Sequence, residues 1–345
     1  MSSQKIIIIV VTIIGVSAIL VLSRTVFRND FHLPLSGETK KETITADNGD
    51  QSFSTKEITV TDGVKHSIPL DQILSGGPPR DGIPPIDHPK YISVQDAEKQ
   101  LTDKEPGLAV EIETVSRFYP FQILVWHEII NDTINGKRIL ITYCPLCLSG
   151  IVFDPAVSGE RVEFGTSGKL WNSNLVMYDR KTNSLWSQIL GEAIVGEMAG
   201  AKLNVLPSDQ IRFGDWKKLH QKGEVLSRDT GTTRFYGQDP YGDYYTTPGT
   251  YFPVSNKDDR LPEKEFILGI VVDGKAKAYW PTAVKKAGVV EDVFEGKTIV
   301  VKYESNIDAV RLFEKKSDGT LERINPFGAF WFSWVATHPD TKLLK

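Results

Sequence analysis

Apolar and polar positions change their rhythm several times along the chain. From Ile6 to Leu22 no charged residue interrupts the apolar run, and Lys5, Arg24 and Arg28 flank it. Counting Ser23, about 18 residues at about 1.5 Å each would span about 27 Å, close to the hydrocarbon core of a bilayer. The run therefore predicts an N-terminal transmembrane helix. It exceeds the about 7–15 apolar residues of a signal core, which favours a retained anchor over residues 1–24 against a cleaved signal. A single N-terminal span before a large domain places that domain outside the cytoplasm. Residues 25–65 are rich in Thr, Ser, Lys, Asp and Glu, too poor in apolar side chains to fold alone, and read as a polar stalk. Gly76-Gly-Pro-Pro-Arg-Asp-Gly-Ile-Pro-Pro-Ile-Asp-His-Pro89 can form neither a helix nor a central strand and reads as an ordered belt.

From residue 66 onward short β-branched runs dominate, and they recur. Gly136-Lys-Arg-Ile-Leu-Ile-Thr-Tyr-Cys through Asp154 aligns without gaps to Gly296-Lys-Thr-Ile-Val-Val-Lys-Tyr-Glu through Glu314. Upstream, Leu108 to Pro120 resembles Leu268 to Pro281; downstream, Trp216-Lys-Lys-Leu-His220 resembles Trp334-Val-Ala-Thr-His338. Each unit predicts a strand pair, a short helix opened by the proline, further strands with a hairpin, and a closing helix around the tryptophan. The expected class is α+β, strand-rich, with two related halves packed as one domain over 66–345. Repeat one covers about 106–226, with an insertion at about 165–205, and repeat two about 266–345. Between them, Phe235 to Phe252 is dense in Tyr, Gly and Pro and predicts a long packed loop.

Composition narrows the function classes. With 345 residues, 40% hydrophobic and 24% charged, the chain is of ordinary globular make-up. Forty basic against 44 acidic side chains leave a formal charge of -4, which argues against nucleic acid as a partner. The repeat then sorts candidate chemistry, because residues needed for the fold alone should recur. His220 and His338 recur, and predict packing beside their tryptophans. His127, Cys144 and Cys147 have Ala287, Glu304 and Ile307 as counterparts, so the unit can be built without them.

Cys144-Pro-Leu-Cys147 holds both cysteines of the chain, and three readings stay open. A disulfide closing so small a loop would add only about 2 kcal/mol on the chain-entropy model. A thiol redox pair is the second reading, since this spacing lets one thiolate resolve a mixed disulfide on the other. The third is a soft metal site for copper or zinc, with His127 completing the shell and Met177 as a weaker thioether ligand. A rival of another class is a non-catalytic module that carries a structural disulfide and recognises a glycan or protein partner through its aromatic loop.

These residues resemble the prokaryotic family known as domain of unknown function 3179. The likeness runs through Gly76-Gly-Pro-Pro-Arg-Asp-Gly-Ile-Pro84, Trp126-His-Glu-Ile-Ile-Asn-Asp132, Tyr143-Cys-Pro-Leu-Cys147, Asn172-Ser-Asn-Leu-Val-Met-Tyr-Asp-Arg180, Ser184-Leu-Trp-Ser-Gln188, Asp239-Pro-Tyr-Gly242 and His338-Pro-Asp-Thr341. The family pattern has Gly after the second cysteine, where this chain has Leu148. The resemblance implies no established activity. It does imply that His127, both cysteines, Met177 and Trp186 belong to one pattern, with Asn174, Asp179 and Arg180 as neighbouring site candidates.

Overall fold

The computed structural model describes residues 33–34, 36–49, 52–157 and 159–345. The β-branched runs become strands that pair almost wholly antiparallel. One meander has the order Ile129–Ile134, Lys137–Cys144, Ser149–Asp154, Asn204–Val205; a second has the order Val289–Phe294, Lys297–Glu304, Ala309–Lys315, Leu321–Ile324. Two further sheets are each built on a hairpin. Pro106–Ile112 and Val115–Pro120 lie between Asp209–Arg212 and Glu224–Leu226, and Phe266–Val272 and Lys275–Tyr279 lie between Phe327–Phe330 and Lys342–Leu344. In both of these sheets the last strand joins parallel to the hairpin. Strand order and sense thus agree between residues 106–226 and 266–344, and the strand that ends at Cys144 in one ends at Glu304 in the other.

The expected class is corrected here. Strand dominates, in a four-bladed β-propeller-like arrangement, so the chain is not an α+β domain. Among the described residues the α-helices have only four or seven residues, too short to form a layer against a sheet. They are corners instead. Trp216 and Trp334 anchor two of them by donating to Ser116 Oγ at 2.9 Å and Thr341 Oγ1 at 2.8 Å. His220 and His338 stack on these indoles, with ring centroids 5.5 and 4.0 Å apart. The expected transmembrane helix over Ile6–Leu22 lies outside the described residues; among those described, no helix is long and apolar enough to cross a membrane.

The segment read as a polar stalk is also corrected. Thr39–Asp47, Phe53–Thr61 and Val64–His66 are strands, and residues Leu35–Lys345 make one compact unit. Their apolar residues are few but alternate with polar ones, so Ile58 and Val60 reach one face and are 3% and 4% exposed. The partner they needed is the insertion. Phe164–Trp171, Asn174–Asp179, Leu185–Ser187 and Glu192–Val195 continue the same eight-stranded sheet, joined where Val195 pairs with His66.

Buried polar clusters recur beside the hairpins. Asp132 accepts hydrogen bonds from Arg117 at 2.9 Å and from Tyr119 and Tyr91. In the other half Asp292 accepts from Lys277 and Tyr279, both at 2.8 Å. Asp132, at the end of the Trp126–Asp132 motif, therefore serves the fold.

Candidate functional site

Cys144 closes the strand Lys137–Cys144, and Pro145–Cys147 is a single 3-10 turn. Leu148 caps that turn in the left-handed region at φ 48°, a conformation that costs a side-chain-bearing residue about 1–2 kcal/mol. That is the physical reason for a Gly in the family pattern at this place. Both cysteines are free thiols and both are buried. Cys147 Sγ donates to Ser173 O at 3.2 Å, in the hairpin tip that follows Trp171. Gln188 holds this wall, donating to Thr142 Oγ1 and Ser149 O and accepting from Ser149 Oγ and Asn174 Nδ2.

The two sulfurs differ. Burial, and after it the neighbouring Cys147, pushes the Cys144 thiol well above the usual thiol range. Burial also works against a Cys147 thiolate, but the polar groups around it, Cys144 first and then Ser333 and Asn174, outweigh it and lower that thiol below the usual value. The Ser333 hydroxyl is buried with no hydrogen-bond partner among the described residues. The asymmetry makes Cys147 the better leaving group of the pair.

Cys144 faces a cavity of about 260 Å³. Its walls come from segments far apart in the chain. Gly76, Pro78 and Ile83 come from the belt, Thr166, Gly168, Lys169 and Leu170 from the insertion, Leu175 from the next strand, and Tyr241, Tyr251 and Phe252 from the aromatic loop. The belt is pressed hard onto the insertion. Gly76 N donates to Gly168 O at 2.8 Å, and a Cβ on Gly168, at φ 70°, would lie 2.1 Å from Pro78 O, so only glycine fits. Tyr244 fastens the aromatic loop above the cysteine turn, its hydroxyl donating to Leu146 O at 2.9 Å.

Glu128 completes the cavity. It sits at φ 58° after the turn Val125–His127 that follows the corner helix Phe121–Leu124, and its carbonyl accepts from Tyr143 N at 2.8 Å, which ties it to the strand of Cys144. Its carboxyl lines the cavity, 7% exposed, with no hydrogen-bond or ion-pair partner among the described residues. Burial alone pushes it up to about 8, so at neutral pH it is mostly an acid, able to give a proton. A non-glycine residue held at positive φ with an unpartnered buried carboxyl is where strain and pKa perturbation mark chemistry.

The other candidates divide into two groups. Cys144, Cys147 and Asn174 meet, and Met177 lies in the same apolar cluster as both sulfurs, between Thr166 and Trp186 on the neighbouring strands. His127 does not join them. Its Nδ1–H donates to Pro84 O at 2.7 Å, and its Nε2 accepts from Tyr236 Oη at 2.6 Å; burial lowers its pKa. With both nitrogens taken, it is not free to ligate. Among the described residues no group of three or more His, Cys, Asp or Glu could hold a metal ion. Arg180 is paired with Asp87 and Glu163. Asp179 caps the turn to Ser184 through Thr182 and accepts from Trp186 Nε1 at 3.0 Å. Asp179 and Trp186 line a different cavity, of about 190 Å³.

Glu128, Lys169 and Tyr241 lie outside the residues singled out from the sequence. One signal pointed to Glu128: a lone carboxylate inside the apolar stretch Val125-Trp-His-Glu-Ile-Ile130 has to be buried when that stretch packs.

The site therefore belongs to a class defined by a buried dithiol whose outer sulfur shares an apolar cavity with a protonated carboxyl. The family model described as protein of unknown function (DUF3179) matches residues 80–341, and the chain belongs to that family. No curated protein and no solved structure matches it.

Proposed function

We propose that this protein exchanges thiols and disulfides with a small molecule in the Cys144 cavity. One observation carries the reading: Cys144 and the unpartnered acid Glu128 line the same cavity, with Cys147 one turn further along the chain. In the oxidised protein a substrate thiolate attacks Cys144 Sγ, and Cys147 departs as a thiolate held by Asn174 and Ser333. A second substrate thiolate then attacks the substrate sulfur of the mixed disulfide. Cys144 leaves and takes a proton from Glu128, while Cys147 and Glu128 are reprotonated from solvent. The sum is a protein disulfide plus two thiols giving a protein dithiol plus one disulfide, and the reverse uses the same groups. The apolar run Ile6–Leu22 supports placing this chemistry outside the cytoplasm, where thiols meet oxidants.

Trapping tests it. In the full chain carrying Cys147→Ser, a small disulfide should leave a stable adduct on Cys144, seen in the intact mass. In Cys144→Ser, Cys147 should stay unmodified. Adduct on Cys147 and none on Cys144 would overturn the assignment.

A further inference from the structure

Apart from Glu128, the wall around Cys144 carries one titratable cation. Lys169 follows a bulge between Thr166 and Lys169 in the strand Phe164–Trp171, which brings Thr166, Lys169 and Leu170 all to the cavity. Bulges of this kind re-aim side chains beside sites. Lys169 is half-buried, and its ammonium makes no ion pair or hydrogen bond among the described residues. Several other cations with limited exposure are matched: Lys56 meets Glu192, Lys217 meets Glu98 and Asp103, and the buried Lys277 meets Asp292. The remaining walls, from Pro78, Leu170, Leu175 and Phe252, offer no counter-charge, and Glu128 is mostly neutral at pH 7. The cavity wall thus carries one cation with no counter-charge paired to it.

We infer that the small thiol or disulfide taken by this cavity carries a carboxylate, which pairs with Lys169 while its sulfur meets Cys144. This rests on the exchange reading above. The apolar walls take the carbon chain between the two ends, so a short carboxylate-bearing alkyl thiol fits and a cationic one is repelled. The reduced protein and such a disulfide react in balance: Cys144 attacks one sulfur and releases the first thiolate, and Cys147 then attacks Cys144 and releases the second. The two protons lost by the cysteines end on the two product thiols.

Three disulfides of similar size separate the possibilities in the full chain: 3,3′-dithiodipropionate, bis(2-hydroxyethyl) disulfide and cystamine. Each rate is divided by that disulfide's rate with dithiothreitol to remove intrinsic reactivity. The dianion should react about tenfold faster than the neutral disulfide, and cystamine slowest. Lys169→Met should erase the preference while leaving the neutral rate within about twofold, and Lys169→Arg should keep it. Lys169→Glu should reverse the order towards cystamine. A wild-type order with the dianion slowest, or an unchanged preference in Lys169→Met, would overturn the inference while the exchange reading stands. Reaction with none of the three would overturn both.

Discussion

Replacing Glu128 by Gln should change how stability depends on pH, and by an amount the structure sets. Its carboxyl titrates near the ordinary 4.5 in the unfolded chain and at about 8 in the folded one. Below about pH 4.5 both states hold the proton and Glu128 has no effect. As pH rises, the unfolded chain ionises and the folded chain does not, so the folded state is progressively disfavoured until about pH 8. Each pH unit in that window costs about 1.4 kcal/mol, and between pH 5 and 8 the total is about 3–4 kcal/mol. Gln fills nearly the same volume and does not titrate. Urea unfolding of the full chain and of Glu128→Gln at pH 5, 6, 7 and 8 isolates this one group, because every other titration is common to both. The variant should gain on the wild type by about 3–4 kcal/mol across the series. Parallel pH profiles for the two proteins would refute the claim that the cavity holds an unpaired acid.

Further expectations are separable from this one. Asp132→Ala leaves Arg117 without its buried carboxylate and should cost about 3–5 kcal/mol in urea unfolding; a loss below about 1 kcal/mol would contradict that role. Trp186→Phe removes a fully buried indole and its bond to Asp179, and about 2–4 kcal/mol should be lost, read in the same way. Deleting residues 33–66 strips Ile58 and Val60 from the eight-stranded sheet and uncovers the strand Glu192–Val195, so Tm should fall by about 5–10 °C; an unchanged Tm would restore the stalk.

Local pattern reached as far as the strands and the turn that carry the cysteines. Arg138-Ile-Leu-Ile-Thr-Tyr143 could only be a buried strand, and the Gly-Pro belt could only be irregular. Comparison of the halves rightly separated His220 and His338, which stack on their tryptophans, from residues that do not recur. Partnership between distant segments was out of reach. Residues 39–61 looked unable to fold because the strand that completes their sheet lies at Glu192–Val195. The helical segments were placed correctly, yet their brevity, set by the return of the chain into the next strand, makes the fold strand-dominated. Within Trp126-His-Glu128 the imidazole drew attention because of its chemistry. The carboxyl is the group left unpaired, and that follows from a positive φ and from walls supplied by residues 169 and 241.

The central claim is that Cys144 and Cys147 form a reactive dithiol and not an inert buried pair. The most direct test is a redox titration of the full chain in glutathione buffers, with the Cys144–Cys147 disulfide quantified by peptide mass spectrometry. The account predicts a reversible intramolecular disulfide with a midpoint between about −270 and −120 mV, the range of exchange-competent dithiols. Thiols that stay reduced in fully oxidised glutathione, or a disulfide that resists reduction below about −300 mV, would contradict it.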